Sequence, residues 1–343
     1  MKVYTGTDAA IDLSAVADVA RRAEAAGYDG LHVSETVHDP FLLALLALQA
    51  TERIVVRTSV ALAFVRSPLL TAYTSWDLST LSGGRFHLGL GSQVRQNIED
   101  RYAMPWTAPS NRMREYVGVV RAAFDTFRTG DLVPFEGEHY RFTRMQPYFN
   151  AGPDTTTPAP PVYLGGVGER MLRVAGAVAD GLVTHPTNSD PGYLTDRCLP
   201  MLTEGAAAAG RSLERFELVA GLQVITGRTD ADVATERERR RRLFAFLYST
   251  PAYRGALARH GFPDLQPELA ELVRHDDWRR LTEVVTDDVL SAVVPTARYD
   301  ALAAVVRERI APLQGVDVGV TLALPDDPAD DAAMAEVVAE LRR

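Results

Sequence analysis

Small and polar residues follow several apolar, strand-like runs in this sequence, at positions where the rest of each run is bulky. Few of them are charged, although one carboxylate, Glu35, follows an early run. The set favours a site that positions a large bound cofactor over hydrolysis by protein carboxylates. Its later members are Ser59 and Val60, then Gly91, Ser92 and Gln93, then Gly165 to Glu169, and finally Thr184 with His185.

A glycine-rich turn, Gly165-Gly166-Val167-Gly168, precedes the helix that is predicted from Glu169. Backbone amides at such a helix start can point at an anion, and the helix dipole assists them, so a phosphate group is the natural guest. A tight turn that only begins a helix explains the same residues equally well. Met171 stands where a dinucleotide-binding fingerprint would have its third glycine, and no P-loop lysine follows. Both of those nucleotide-binding motifs therefore lose support.

Other reaction classes lack their characteristic residues. The histidines show no H-x-H or H-E-x-x-H spacing and no serine stands in G-x-S-x-G, so neither a zinc site nor a serine hydrolase is indicated. Lys2 is the sole lysine and begins the first strand, which excludes Schiff-base chemistry at the far end of that strand. His38 and His185 follow strand ends, where a functional and a structural role are equally compatible with the pattern. Cys198 is expected to be a small, half-buried side chain.

Strand-like and helical patterns alternate along most of the chain, which is typical of parallel β/α architecture. We predict a closed (β/α)8 TIM barrel with insertions, and a doubly wound sheet is the alternative. One of the predicted helices begins at Pro68 and ends at the Gly83-Gly84 turn. The predicted strands are Lys2 to Thr5, Gly30 to Ser34, Ile54 to Val60, Phe86 to Leu90, Val162 to Leu164, Gly181 to Thr184, Glu217 to Ile225 and Asp317 to Leu322.

The 343 residues are expected to form a single barrel domain, 1–343, because barrels of this class commonly reach that length. Two segments do not fit barrel units. Residues 130–149 are predicted to form an inserted β-hairpin around Glu136-Gly137-Glu138. Residues 230–292 are predicted to form a helical insertion before the last β/α unit.

Composition and charge narrow the range of partners. A hydrophobic content of 46% and a charged content of 24% are ordinary for a soluble enzyme. No apolar run reaches the ~18 residues that span a bilayer, and no signal core precedes the first strand, so no membrane partner and a cytoplasmic location are expected. A net charge of -9 argues against nucleic acid. The basic run Arg237 to Arg242 follows acidic residues and is predicted to be a solvated, ion-paired helix face.

Several motifs occur together in an order that is typical of one protein family. They are Thr58-Ser59-Val60, Arg66-Ser67-Pro68, Leu81-Ser82-Gly83-Gly84-Arg85-Phe86, Leu88-Gly89-Leu90-Gly91-Ser92, Pro161-Val162-Tyr163-Leu164-Gly165-Gly166 and Ala179-Asp180-Gly181. On these motifs the chain resembles the bacterial luciferase-like superfamily of flavin and deazaflavin enzymes, over essentially its whole length. Within that superfamily it is most similar to the actinobacterial coenzyme F420-dependent oxidoreductases, through Asp39-Pro40-Phe41 and Gly91-Ser92-Gln93-Val94.

This resemblance implies a β/α barrel, usually a homodimer, with the ring system of the cofactor stacked over a bulge in the third strand. A cis peptide between Ser59 and Val60 would form the bulge. Glu35 matches a strand-two acid near the ring, and His38 follows it slightly later than the family's usual histidine. The other residues that the resemblance places around the cofactor are Ala61, Gly91, Ser92, Gln93, Asn97, Gly165, Gly166, Val167, Gly168, Glu169, Thr184 and His185.

Three functions fit this resemblance. The leading expectation is hydride transfer between coenzyme F420 and a small organic substrate, with Glu35 or His38 handling the proton. An FMN-dependent monooxygenase of the same fold, supplied with reduced flavin by a separate reductase, is the alternative. A barrel that only binds a ligand is the third. A sugar-phosphate substrate is disfavoured, because Val94 stands where the related dehydrogenases have an acid and their phosphate-binding lysines are absent.

Overall fold

The structure of the protein, a computed structural model, describes residues 1–313 and 316–343. Its strands are β1 (Lys2–Gly6), β2 (Gly30–Val33), β3 (Val55–Thr58), β4 (Ala61–Leu62), β5 (Phe86–Gly91), β6 (Phe135–Glu136), β7 (Arg141–Phe142), β8 (Val162–Gly165), β9 (Gly181–Val183), β10 (Glu217–Gly221) and β11 (Asp317–Thr321). The main sheet has the order β3-β2-β1-β11-β10-β9-β8-β5-β4, and β3 also pairs with β5. That pairing closes the ring, so the predicted (β/α)8 barrel is confirmed and the doubly wound sheet is excluded.

The chain comprises two compact units. The N-terminal unit contains Tyr4–Val183 and Pro200–Leu218, and the C-terminal unit contains Met1–Val3, Thr184–Leu199 and Val219–Arg343. The helices of the N-terminal unit are α1 (Val16–Ala25), α2 (Pro40–Ala50), α3 (Pro68–Ser82), α4 (Pro109–Thr129), α5 (Glu169–Val178) and most of α7 (Leu199–Ala208). Those of the C-terminal unit are α6 (Pro191–Tyr193), α8 (Asp230–Tyr248), α9 (Arg254–Arg259), α10 (Leu265–Arg274), α11 (Trp278–Val284), α12 (Asp287–Val293), α13 (Tyr299–Ile310) and α14 (Asp331–Arg342).

Local signals explain where the helices of the N-terminal unit begin and end. The carboxylate of Asp39 accepts a hydrogen bond of 2.8 Å from the amide of Phe41, and Pro40 fills the first position of α2. Helix α3 begins at Pro68, and Gly83 ends it in the left-handed conformation with φ of 65°. The predicted limits of α3 are therefore confirmed.

The third strand is not continuous, in contrast to the prediction of a run from Ile54 to Val60. Strand β3 stops at Thr58, and β4 resumes at Ala61 after a cis peptide between Ser59 and Val60. Strand β4 pairs with β5, whereas β3 pairs with both β2 and β5. The residues between the two strands therefore form the interruption that the resemblance implies.

A group of buried polar side chains surrounds Arg57, the residue before the last one of β3. The guanidinium of Arg57 is fully buried and lies 3.3 Å from a carboxylate oxygen of Glu217. The hydroxyls of Tyr4 and Tyr163 each donate a 2.6 Å hydrogen bond to Glu217, and Arg57 stacks 3.7 Å above the Tyr163 ring. Burial, opposed by the charge of Arg57 and assisted by Glu217, raises the pKa of both tyrosines, so they remain protonated donors.

His32 belongs to the same buried group. Its ring stacks on Tyr4 with the centroids 4.9 Å apart. Burial and the charge of Arg57 hold the pKa of His32 well below its ordinary value, so the ring is neutral.

The two segments outside regular barrel units are both ordered. Strands β6 and β7 form an antiparallel hairpin in which Phe135 lies opposite Phe142. The carboxylate of Glu115 on α4 accepts hydrogen bonds of 2.6 to 3.1 Å from three consecutive amides, at residues 138 to 140, and so attaches the hairpin to α4. Helices α8 to α12 enclose a separate apolar cluster that includes Phe244, Leu257 and Leu290.

Cys198 is more buried than the sequence indicates, with 1% of its surface exposed. Burial raises the pKa of its thiol to about 11. Within residues 1–313 and 316–343, no helix combines the length and the apolarity that crossing a bilayer requires.

Candidate cofactor site

The interruption between β3 and β4 is fixed by hydrogen bonds to both neighbouring strands. The hydroxyl of Thr58 donates to the carbonyl of Gly89 at 2.7 Å and accepts from the same residue's amide at 2.9 Å. On the other side, the amide of Ser59 donates to the Val33 carbonyl at 2.8 Å, and the Ser34 hydroxyl donates to the Ser59 carbonyl at 3.1 Å. The cis peptide therefore stands at the carboxyl end of the strand, where barrels of this class carry their functional groups.

The glycines at the ends of β5 and β8 make room for Val60. A Cβ on Gly91 would lie 2.4 Å from Cγ2 of Val60, and a Cβ on Gly165 would lie 3.1 Å from its Cγ1. The sequence assigned both glycines to ligand contact, whereas the structure shows the protein's own valine beside them. The structure therefore brings Val60, Gly91 and Gly165 together, and the valine forms part of the floor at the strand ends.

The turn after β8 is open at Gly168. No atom of the described chain lies within 4 Å of where a Cβ of Gly168 would stand, and this residue is the N-cap of α5 without a side chain to satisfy the first amides. Gly166 differs, since its Cβ would lie 2.6 Å from Cγ of Met171. Val167, Gly168 and Glu169 are exposed. An anion can thus approach the start of α5 from the solvent.

Glu35 is held in an ion pair that the sequence did not indicate. Its Oε2 accepts a 2.6 Å hydrogen bond from Arg66 and a 2.7 Å bond from the amide of Leu62, the second residue of β4. Arg66 also donates to Asp39 at 2.9 Å and to the Leu62 carbonyl at 3.2 Å. Burial opposes the charge of Arg66, yet its hydrogen bonds to Glu35 and Asp39 raise its pKa. We call this group of Glu35, Asp39, Leu62 and Arg66 the arginine clamp.

Arg66 appeared in the sequence only as part of the Arg66-Ser67-Pro68 motif. Its partners lie 27 and 31 residues earlier in the chain, so no local spacing links them. The usable signal was an arginine shortly after the bulge, together with two carboxylates after the second strand. The Glu35 side chain is 7% exposed, and its other oxygen, Oε1, has no hydrogen-bond partner within the described residues.

Replacing Arg66 with methionine is expected to weaken cofactor binding by about tenfold, or ~1.4 kcal/mol, because Leu62 and the carboxylate of Glu35 lose their common anchor. Fluorescence titration with the deazaflavin or flavin that the resemblance implies measures the effect. Asp39→Asn serves as the control, because Asp39 is 42% exposed and its removal leaves the Glu35 contact intact. Equal affinity of Arg66→Met and the native protein would show that the clamp does not shape the site.

His38 lies next to the clamp in sequence and is partly buried. It makes no hydrogen bond or ion pair within residues 1–313 and 316–343. Its imidazole is therefore available to exchange a proton with a ligand.

The loop after β5 carries the next predicted residues. Gln93 is exposed in a left-handed conformation with φ of 60°, and its side chain accepts from the amide of Val94 at 2.9 Å. The Ser92 hydroxyl donates to the Gln93 carbonyl at 3.2 Å. Asn97 is partly buried and begins a π-helical turn, Asn97–Arg101. The side chains of Ser92 and Gln93 thus serve the local turn, and that of Asn97 faces no partner among the described residues.

Thr184 and His185 belong to the C-terminal unit. The Thr184 hydroxyl is buried and forms a 2.6 Å hydrogen bond with Ser189. His185 Nδ1 lies 2.7 Å from the Thr187 hydroxyl, and its ring stacks on Tyr253 with the centroids 5.6 Å apart. Both residues are therefore engaged within their own unit, and no local sequence pattern indicates those partners.

The fold and these strand ends define a parallel β/α-barrel protein whose polar groups gather at the carboxyl ends of its strands. The chain belongs to the luciferase-like monooxygenase family, whose model matches residues 2–312.

Two relatives show the range of this family. An uncharacterized protein of Mycobacterium tuberculosis is 41% identical over 297 residues, which is 87% of either chain. An F420-dependent glucose-6-phosphate dehydrogenase of Nakamurella multipartita is 30% identical over 225 residues, 62% of this chain and 63% of the relative.

Two solved structures confirm the fold. A coenzyme F420-dependent tetrahydromethanopterin reductase from Methanopyrus kandleri aligns with a TM-score of 0.78 and 21% identity, over 99% of this chain and 98% of the other. The oxygenating constituent of a Pseudomonas putida 3,6-diketocamphane monooxygenase, in complex with FMN, aligns with a TM-score of 0.67 and 17% identity, over 99% and 96%. At these identities the likeness concerns the fold alone. The proteins that share this fold thus include one named as coenzyme F420-dependent and one in complex with FMN.

Proposed function

We propose that the protein is an oxidoreductase that transfers a hydride between coenzyme F420 and a small organic substrate. The observation that carries this proposal is the interruption between β3 and β4 at the carboxyl end of the barrel, where Gly91 and Gly165 make room for Val60. The F420-dependent relatives of the same family support it. A deazaflavin, when bound, supplies a carbon centre that accepts or releases hydride, and the protein supplies orientation and electrostatics.

The residues present fit such a cofactor. In the proposed arrangement, Ser59, Val60 and Ala61 support the ring, while Gly91, Ser92, Gln93 and Asn97 border it. The open start of α5, from Gly165 to Glu169, receives the phosphate, because Gly168 leaves that approach free. Thr184 and His185 are also proposed to contact the cofactor.

The hydrogen bonds of the arginine clamp support different roles for Glu35 and His38, the two candidate proton-handling groups. Oε2 of Glu35 already accepts from Arg66 and Leu62, so this carboxylate positions the strand after the bulge. His38 makes no hydrogen bond within the described residues, although its charge interacts with Asp12, and an imidazole is a side chain that can transfer a proton. We therefore assign the proton transfer to His38 and the positioning to Glu35.

Titration of the purified protein with F420 and with FMN tests the proposal directly. Tight, micromolar binding of F420 and its reduction or oxidation in a substrate screen are the expected results. Preferential binding of reduced FMN, with oxygen consumption in the presence of a substrate, would instead identify a flavin monooxygenase, as the FMN-bound structural relative suggests. Binding without turnover across the screen would favour a barrel that only binds a ligand.

The phosphate contact has a separate prediction. Gly168→Asp is expected to weaken F420 binding by at least about tenfold, because a carboxylate repels the phosphate where no steric clash arises. Gly168→Ala should bind normally. Gly255→Asp, at another open glycine on α9, is the matched control for added charge. Unchanged affinity of Gly168→Asp would show that the phosphate lies elsewhere.

A homodimer belongs to the same proposal, with the outer faces of α2 and α3 as the interface. Helix α2 contains no charged residue and α3 contains only Asp77, yet Leu42, Leu70 and Leu81 on these helices are 54%, 64% and 53% exposed. Asp77 is the only charged residue of these two helices, and a largely apolar face favours a second copy of itself over a charged partner.

Light scattering is expected to give the mass of a dimer for the native protein and of a monomer for the double variant Leu42→Glu/Leu70→Glu. Leu243→Glu, on an exposed leucine of α8, is the control. A native protein that is monomeric at all concentrations contradicts this interface.

A further inference from the structure

A cleft of about 570 Å3 lies within the C-terminal unit and is not part of the proposed cofactor site. Pro191, Val294, Pro295 and Val305 form its apolar walls, and Arg237 from α8 contributes a cation. The rest of the lining is largely polar and includes Asp190, Glu308 and Arg309. A volume of this size, with apolar walls and convergent polar groups, is typical of sites for small organic molecules.

Arg237 differs from its neighbours in the basic run from 237 to 242. Arg239 and Arg240 lie 2.6 and 2.5 Å from Glu236. Arg241 pairs with Glu238 and Asp287, and Arg242 lies over the ring of Trp278 at 5.1 Å. Arg237 reaches only Asp287, at 3.6 Å, and shares that carboxylate with Arg241.

The Nε of Arg237 is shielded from solvent and has no hydrogen-bond partner in the part of the chain that the structure describes. A buried donor without a partner costs free energy, so such a group usually serves a bound molecule. The predicted ion-paired face of the basic run is therefore confirmed for Arg239, Arg240 and Arg241, whereas Arg237 is paired through a terminal nitrogen and not through Nε.

The second arginine of the cleft, Arg309, is already engaged. Its guanidinium donates to the carbonyls of Ala292 and Val293 at 3.1 and 3.4 Å and lies 3.5 Å from Asp190. Asp190 in turn lies 2.8 Å from Nε2 of His260. Although burial opposes it, this hydrogen bond from His260 contributes to holding the pKa of Asp190 below its ordinary value, so it stays ionised and paired. Arg237 is thus the cation of the cleft that has an unpaired donor within the described residues.

We propose that this cleft binds a small organic monocarboxylate with an apolar body. The carboxylate meets the guanidinium of Arg237, whose planar geometry matches that of a carboxylate. The hydrocarbon part lies on Val294, Pro295 and Val305. Glu308 also lines the cleft and is exposed, and its charge disfavours a ligand with a second negative group. The site is independent of the proposed redox function.

Isothermal titration with sodium hexanoate tests this site, with 1-hexanol as the neutral molecule of the same length. We expect saturable binding of hexanoate and at least about tenfold weaker binding of hexanol. Arg237→Gln should weaken hexanoate binding at least tenfold, whereas Arg239→Gln, on the same helix, should leave it unchanged. Arg237→Lys keeps the charge but lacks the guanidinium group, so its affinity for hexanoate should lie between those of Arg237→Gln and Arg239→Gln. It provides the test if Arg237→Gln does not fold.

Several results would overturn the proposal. They are no binding of hexanoate at about 10 mM, equal binding of hexanol, or full affinity in both Arg237 variants. Because the measurement detects binding without F420 or turnover, failure here leaves the proposed hydride transfer untouched.

Discussion

Replacement of Arg57 by methionine is expected to lower the free energy of unfolding by about 3–5 kcal/mol, since it leaves a buried carboxylate without its cation. The guanidinium is fully buried between β3 and the rings of Tyr4 and Tyr163. Glu217 keeps the two tyrosine hydroxyls as donors, but no longer has the positive charge 3.3 Å away. Urea unfolding followed by circular dichroism measures the loss.

The double variant Arg57→Met/Glu217→Gln separates the ion pair from the lost packing. It removes both charges and retains the side-chain volumes, so we expect it to regain most of the stability that the single variant loses. A loss of less than about 1 kcal/mol in Arg57→Met would mean that the pair contributes little. Equal losses in the single and double variants would assign the effect to packing over the tyrosine rings.

The second large effect is expected at His38. If this imidazole transfers the proton, His38→Gln should lower kcat by about 10²–10⁴-fold and leave the affinity for F420 unchanged. The substrate for this measurement is the one that the F420-coupled screen identifies, and kcat is followed across a range of pH. The variant should also lose the pH dependence that the imidazole contributes.

Glu35→Gln and His275→Gln are the variants with which His38→Gln is compared. His275 is an exposed imidazole paired with Glu271 in the C-terminal unit, so its removal should have no effect on kcat. Glu35→Gln is expected to change cofactor affinity more than kcat, because the amide no longer holds Arg66 as an ion pair. The reverse pattern, with kcat lost in Glu35→Gln and retained in His38→Gln, would transfer the proton role to Glu35.

The sequence predicted those parts of the fold that depend on neighbouring residues. Pro40, Pro68 and Gly83 set helix limits through their own backbone preferences, and these limits agree with the structure within a residue. The alternation of apolar runs predicted the barrel strands, although the seventh run was placed up to Ile225 and β10 ends at Gly221. Position in the chain alone could not show where that strand leaves the sheet.

The site was predictable only where a motif marked it. The Ser59–Val60 bulge followed from the resemblance, whereas the arginine clamp joins residues 27 to 31 positions apart. The role of Gly91 and Gly165 was also hidden, because the side chain beside them belongs to Val60 on another strand. The pairing of Arg57 with Glu217 spans 160 positions and has no local pattern at all. Contacts of this kind are set by the closure of the barrel.

The buried sulfhydryl near the start of α7 makes this chain convenient for spectroscopy. Cys198 is the single cysteine of the chain. Because burial raises the pKa of its thiol to about 11, it should not react with maleimide dyes under ordinary coupling conditions. A cysteine introduced at Val37, which is 63% exposed beside His38, would then carry the fluorophore alone. Such a reporter would follow coenzyme arrival at the barrel mouth in the otherwise native polypeptide.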